Sequence, residues 1–238
     1  RATASLLEAL ARAWPETWPP ALAWINSPRL PLPADDPWLA AGRFRIRHTR
    51  LSGKALLRGW QWLDWPPLER LLGPLDLVHS TSGCVPSVRR ARRVVTVYDL
   101  YFKHRLDHAN AYGGKYFAAT YGRRLPLADA ILCISEFTRE ELLRFYPLSP
   151  ERVSVVRLGV DSERFRPQSG PADARVVEAL GLTEPYLLCV ATLEPRKNLP
   201  RLLEAYGRAI ALLRERGVEA PTLAICGGGG PTPSSHAE

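Results

Sequence analysis

The chain has 238 residues, 46% of them hydrophobic and 24% charged, a balance that excludes wholesale disorder and fits one large folded domain or two smaller ones. Its net charge of +8 is carried mostly by arginine, which suits an acidic partner such as nucleic acid, anionic lipid or a phosphorylated substrate. An Ala-, Leu- and Pro-rich composition makes the base composition of the gene an equal alternative source of that arginine, and no apolar run approaches the ~18–20 residues that cross a bilayer.

Along the chain, Leu6, Leu7, Leu10 and Trp14 recur at helical steps, predicting an amphipathic helix over Ala2–Trp14. Leu22–Ile25 reads as a short strand, and the prolines of Pro28–Pro37 enforce a loop. Arg43-Phe44-Arg45-Ile46-Arg47 alternates strictly, which places three arginines on one face of a strand. From Leu75 onward short apolar runs alternate with helical stretches. Strands are predicted at Leu75–His79, Arg93–Val97, Ala130–Ile134, Arg152–Val156, Tyr186–Val190 and Thr222–Cys226. Most are apolar on both faces, as in a buried parallel sheet. Helices are predicted at Ala109–Leu127, Glu136–Tyr146, Asp173–Leu180 and Leu199–Arg216, with Ser135 as N-cap of the second. This alternation predicts a doubly wound α/β architecture. The polar, turn-rich stretch Pro167–Pro171 sets the expected boundary, giving domains 1–167 and 168–238.

The four cysteines, Cys84, Cys133, Cys189 and Cys226, have no CxxC spacing. Three lie in strand-like runs, so buried reduced thiols and a cytoplasmic setting are expected. No basic segment followed by an apolar core marks a secretion signal. The lack of methionine, the start inside a helix and the unpatterned end at Pro231–Glu238 are expected of a piece cut from a longer protein.

Chemistry concentrates in one segment. Tyr186–Val190 leads through Ala191-Thr192-Leu193-Glu194-Pro195 to Arg196 and Lys197, then to a helix expected to begin at Asn198, its N-cap. Ligands of such sheets bind at the carboxyl ends of strands, where this turn lies. A helix N-terminus adds partial positive charge beside the two cations. The arginine fork and the lysine point charge together suit a diphosphate. If that diphosphate is a leaving group, fixed cations favour the transition state over the ground state.

Ala191–Asn198, with Leu199–Tyr206 after it, resembles the GTLEPRKNL segment of family 4 glycosyltransferases. Val94–Leu100 resembles that family's VVTVHDL strand end, Ala128–Thr138 its ADAIITVSEFSK segment, and Val153–Pro167 its VxVIPNGVDxxxFxP lead into a second domain. The resemblance implies a GT-B fold, with a Rossmann-like N-terminal domain and the first part of a second one. It further implies retaining transfer of a hexose such as mannose from a nucleoside diphosphate sugar to a glycan or lipid-linked acceptor, as in polysaccharide biosynthesis, without a cofactor or obligatory metal. Arg196 and Lys197 would contact the donor diphosphate, and Gly227 and Gly228 would allow close backbone approach to the donor. Tyr98 stands where many members carry histidine, next to Asp99; both are acceptor-side candidates, with Asp99 equally able to stabilise its turn. Ala191 and Leu158 replace a glycine and an asparagine of the family pattern, both expected at bends. The family's first glycine loop would precede Ala2 and its Glu-x7-Glu segment would follow Glu238, so these residues alone are expected not to turn over.

The runs Arg89–Arg93 and Arg43–Arg50 could attract anionic lipid or a phosphorylated acceptor, or be a solvated basic surface. Trp60, Trp62 and Trp65 beside Arg58 could sit at a membrane interface or pack beneath a loop, and His79 reads as a structural histidine. Peripheral association with the inner face of an anionic membrane is therefore an expectation, and a nucleic-acid partner is not. Two other readings are a sugar-nucleotide epimerase of the same architecture and a non-catalytic basic nucleic-acid-binding protein. The absence of GxGxxG after a strand and of GxxxxGK[ST] disfavours dinucleotide oxidoreductases and P-loop ATPases.

Overall fold

A computed structural model describes residues 2–13, 15, 17–18, 21–26, 44–49, 51–104, 114–162, 165–167 and 170–227. The chain divides into two compact units, Arg1–Lys103 with Tyr116–Leu158 and His104–Lys115 with Gly159–Glu238.

The first unit opens with α1 (Ala2–Ala13), followed by β1 (Ala21–Asn26) and β2 (Phe44–Thr49), which pair in parallel. Phe44 and Ile46 are half-buried while Arg45 and Arg47 are exposed, as the alternation predicts; Arg43 and Arg50 lie outside the described residues. Helices α2 (Gly53–Trp62) and α3 (Leu68–Leu72) follow. Neither is predicted from the sequence: Gly53 and Gly59 lower the helix propensity of α2, although Leu56, Leu57 and Trp60 recur at helical steps, and α3 is only five residues long. Gly59 has a tertiary reason: a Cβ there would overlap the Trp65 carbonyl oxygen. Leu56 and Trp60 of α2 pack with Leu68, Val88 and Ala91 into a buried cluster.

Strands β3 (Leu77–Ser80), β4 (Arg92–Val97), β5 (Ala130–Cys133) and β6 (Val153–Val155) form one parallel sheet in that order. Parallel neighbours need crossovers, here supplied by α4 (Tyr101–His104) and α5 (Gly114–Arg124) between β4 and β5, and by α6 (Glu136–Phe145) between β5 and β6. The described part of the helix expected over Ala109–Leu127 is α5 and a 3-10 turn through Leu127. Ser135 caps α6 as expected, its Oγ accepting the Thr138 N–H at 3.1 Å. Val95, Val97, Ile131 and Cys133 of the two central strands are buried, together with Leu142 of α6.

The second unit contains α7 (Pro171–Ala179), β7 (Tyr186–Val190), α8 (Leu199–Glu215) and β8 (Thr222–Cys226). β7 and β8 are parallel, in register from Tyr186 opposite Thr222 to Val190 opposite Cys226. With α8 between them they make a βαβ unit, and the architecture of the whole chain is the α/β, Rossmann-like class that the alternation predicts. One expectation is corrected. β7 is apolar on both faces, yet Leu187, Leu188 and Val190 are 49%, 57% and 74% exposed, because among the described residues each strand of this sheet has a single partner. For the same reason Cys226 is exposed and Cys189 only half-buried, whereas Cys133 is fully buried; all four thiols are free.

Candidate functional site

β7 delivers the chain to the carboxyl edge of its sheet, where Ala191 N–H donates to the Cys226 carbonyl at 3.0 Å. The exits of β7 and β8 are thereby held side by side. Gly227 follows directly on β8, and a Cβ on it would overlap the Ala191 carbonyl oxygen. Glycine is thus required at 227 by the neighbouring backbone, a reason that holds with no ligand present. Gly228 lies outside the described residues.

The turn itself differs from a strand running straight into a helix. Pro195–Lys197 form one turn of 3-10 helix, closed by Lys197 N–H to the Glu194 carbonyl at 2.9 Å. Asn198 then takes a left-handed conformation, φ 51° and ψ 41°, and α8 starts at Leu199. The expected side-chain cap is corrected: Asn198 makes no capping hydrogen bond. Its contribution is conformational, since asparagine tolerates the left-handed region better than most residues. Its carbonyl begins the helix, accepting from the N–H groups of Arg201 and Leu202. Arg196 and Lys197 consequently stand on a rigid turn just ahead of the N-terminus of α8, both exposed.

Arg196 is not an isolated cation. Its Nε donates to Glu194 Oε2 at 2.8 Å, and the Glu194 side chain is only 7% exposed while that of Arg196 is 36%. Glu194 therefore tethers the guanidinium from beneath. Sequence reasoning gave Glu194 no role. The signal was present in Glu-Pro-Arg, where proline fixes the backbone between opposite charges two positions apart.

In the first unit, Tyr98 and Asp99 follow β4 at the carboxyl edge of the four-stranded sheet. The Tyr98 carbonyl accepts from Thr138 Oγ1 at 3.1 Å, joining this loop to the first turn of α6. Asp99 Oδ1 accepts the Tyr101 N–H at 3.0 Å, so its carboxylate stabilises the entry to α4. Leu158 and Ala191 replace residues of the family pattern at bends, but among the described non-glycine residues only Asp64 and Asn198 have positive φ. Neither replacement is strained. His79 Nε2 meets Thr96 Oγ1 at 2.9 Å across β3 and β4, and burial holds its imidazole below the ordinary pKa. That is a structural histidine.

The basic run Arg89–Arg93 lies at the opposite, amino edge of β4 and is partly structural. The backbone N–H groups of Arg89, Arg90 and Ala91 all donate to Glu69 Oε1, at 2.9, 2.9 and 3.1 Å. Arg92 pairs with Asp129 at 2.7 Å, and Arg93 donates to the carbonyls of Val88 and Leu127. Two of its arginines thus serve the fold.

The model of the family described as Glycosyltransferase Family 4 matches residues 7–164. An alpha-maltose-1-phosphate synthase of Mycolicibacterium smegmatis is 33% identical over 42% of this chain and 27% of its own length. An O-antigen chain mannosyltransferase B of Escherichia coli is 29% identical over 55% of this chain and 34% of its own. A D-inositol 3-phosphate glycosyltransferase of Streptomyces bingchenggensis is 37% identical over 70% of this chain and 38% of its own. The chain thus spans between about a quarter and two fifths of the length of these relatives.

Proposed function

Because the chain belongs to glycosyltransferase family 4, we propose that the protein transfers a hexose, with retention, from a nucleoside diphosphate sugar to a glycan or lipid-linked acceptor. Mannose is the first hexose to test, since one relative is named for mannosyl transfer. In this reading residues 1–167 form the acceptor side and residues 168 onward begin the nucleotide-sugar side. The observation that carries it is the turn after β7, which presents Arg196 and Lys197 ahead of a helix N-terminus at the carboxyl edge of a parallel sheet. Lys197 supplies a point charge to the diphosphate, and Arg196, tethered through Nε to Glu194, turns its guanidinium to the same group. Both cations then stabilise the charge that grows on the leaving diphosphate, with no metal or other cofactor needed in the step.

Titration of the 238-residue chain with UDP, GDP, ADP and TDP tests the binding half of the proposal. One nucleoside diphosphate should bind, and Lys197→Ala should weaken it about tenfold or more, whereas Asp99→Asn should leave it unchanged. Equal binding by the Lys197 variant would remove the lysine from the site. For turnover, which these 238 residues alone are expected not to support, the full-length protein is incubated with the matching labelled nucleotide sugar and a glycan acceptor, which separates transfer from isomerisation of the donor.

A further inference from the structure

The turn after α2 carries three large apolar side chains that face water. Trp62, Leu63 and Trp65 are 64%, 74% and 49% exposed. The backbone that displays them is firmly held. Asp64 takes a left-handed φ of 48°, its carboxylate accepts a 2.6 Å bond from Arg124, whose side chain is 5% exposed, and its carbonyl accepts from the Ser87 hydroxyl at 2.6 Å. The N–H groups of Leu63 and Trp65 both donate to the Gly59 carbonyl, at 2.9 and 3.2 Å. The indole N–H of the buried Trp60 donates to the Pro66 carbonyl at 2.9 Å. The polar groups of this turn point inward and are bonded; the apolar ones point out.

Cations surround the projection. Helical period puts Lys54, Arg58 and Trp62 on the face of α2 opposite the buried Leu56 and Trp60, and Lys54 and Arg58 are exposed. The exposed Arg123 sets its guanidinium over the Trp62 ring, 5.5 Å from the centroid. The acids of the same stretch are turned away, Asp64 to Arg124 and Glu69 to the N–H groups of residues 89–91. A surface that is apolar at its tip and positive around it, on a chain of net charge +8, complements a bilayer with anionic headgroups. Tryptophan favours the headgroup level, and basic side chains are drawn to the negative leaflet.

We propose that the Trp62–Leu63–Trp65 turn, with Lys54, Arg58 and Arg123 around it, docks the protein on an anionic phospholipid surface. Insertion of a few side chains alone, or attraction of a few cations alone, gives only weak attachment, so both parts are needed. The inference rests on the first unit and stands or falls independently of whether Lys197 holds a diphosphate.

Sedimentation of the 238-residue chain with vesicles of phosphatidylglycerol and phosphatidylcholine, against vesicles of phosphatidylcholine alone, tests it. Binding to the anionic vesicles is expected, reduced by high salt. The double variant Trp62→Ser/Leu63→Ser should bind at least about tenfold more weakly, and Arg58→Gln should bind more weakly and lose part of the salt dependence. All three changes are at exposed side chains, thermal melts by circular dichroism confirm folding, and the exposed apolar residues of β7 are common to every variant. Wild-type affinity in the double variant would overturn the proposal, as would failure of the wild type to bind anionic vesicles. Concentration-dependent dimerisation abolished by the double variant, without vesicle binding, would assign the turn to self-association instead.

Discussion

Glu69 shows how one side chain can organise a distant loop. Burial pushes its carboxyl up, but the N–H groups of Arg90, Ala91 and Arg89 outweigh that and bring its pKa from 4.5 to about 2. A carboxylate whose folded pKa is depressed contributes stability above its unfolded value and loses it as pH falls through the folded one. The contribution should therefore be complete above about pH 4.5 and fade towards about pH 2. Urea unfolding at a series of pH values should show the wild-type midpoint falling through this window more steeply than that of Glu69→Gln; parallel profiles would contradict the assignment. The position of Glu69 gives no hint of this role in the sequence, since its partners lie about twenty residues away. Glu194 is the opposite case. Its pairing with Arg196 is local, but only the structure shows that the carboxylate is the buried member and the guanidinium the exposed one.

At the scale of elements, the exits of β7 and β8 define the candidate donor edge, and Gly227 is what lets them meet. Gly227→Ala should destabilise the second unit by about 1–3 kcal/mol, the usual cost of overpacking. The urea midpoint followed through the β7–β8 amides should fall, with amide protection in β4 and β5 unchanged. β7 and β8 were legible to the residue, because a five-residue apolar run bounded by polar turns has few alternatives. α2 and α3 were not legible. The two glycines of α2 and the five-residue length of α3 argue against regular structure, and it is burial of Leu56, Trp60 and Leu68 in one cluster that overrides propensity. The 3-10 turn at Pro195–Lys197 was likewise hidden, since proline suits the first turn of either helix type.

Over the whole molecule, buried residues are distributed unevenly. The first unit holds the core around β4, β5 and α6, whereas none of the described residues from 159 to 227 is buried. Local opening costs least where few apolar contacts are made. Hydrogen exchange should therefore find Val95, Val97, Ile131 and Leu142 among the slowest amides, and the amides of β7 and β8 faster than those of β4 and β5. Equal protection in the two units would contradict this.

By itself the sequence determined the α/β alternation, the order of the family segments and the chemical character of the Glu-Pro-Arg-Lys-Asn turn. These are encoded in local periodicity and in contiguous residue types. Tertiary structure alone decided that Arg92 and Arg93 serve the fold, that Gly59 and Gly227 admit a neighbouring backbone, and that Trp60 turns inward while Trp62 and Trp65 face water. Each depends on which groups meet across tens of residues or between adjacent strands, and the periods of 2.0 and 3.6 carry no record of such meetings.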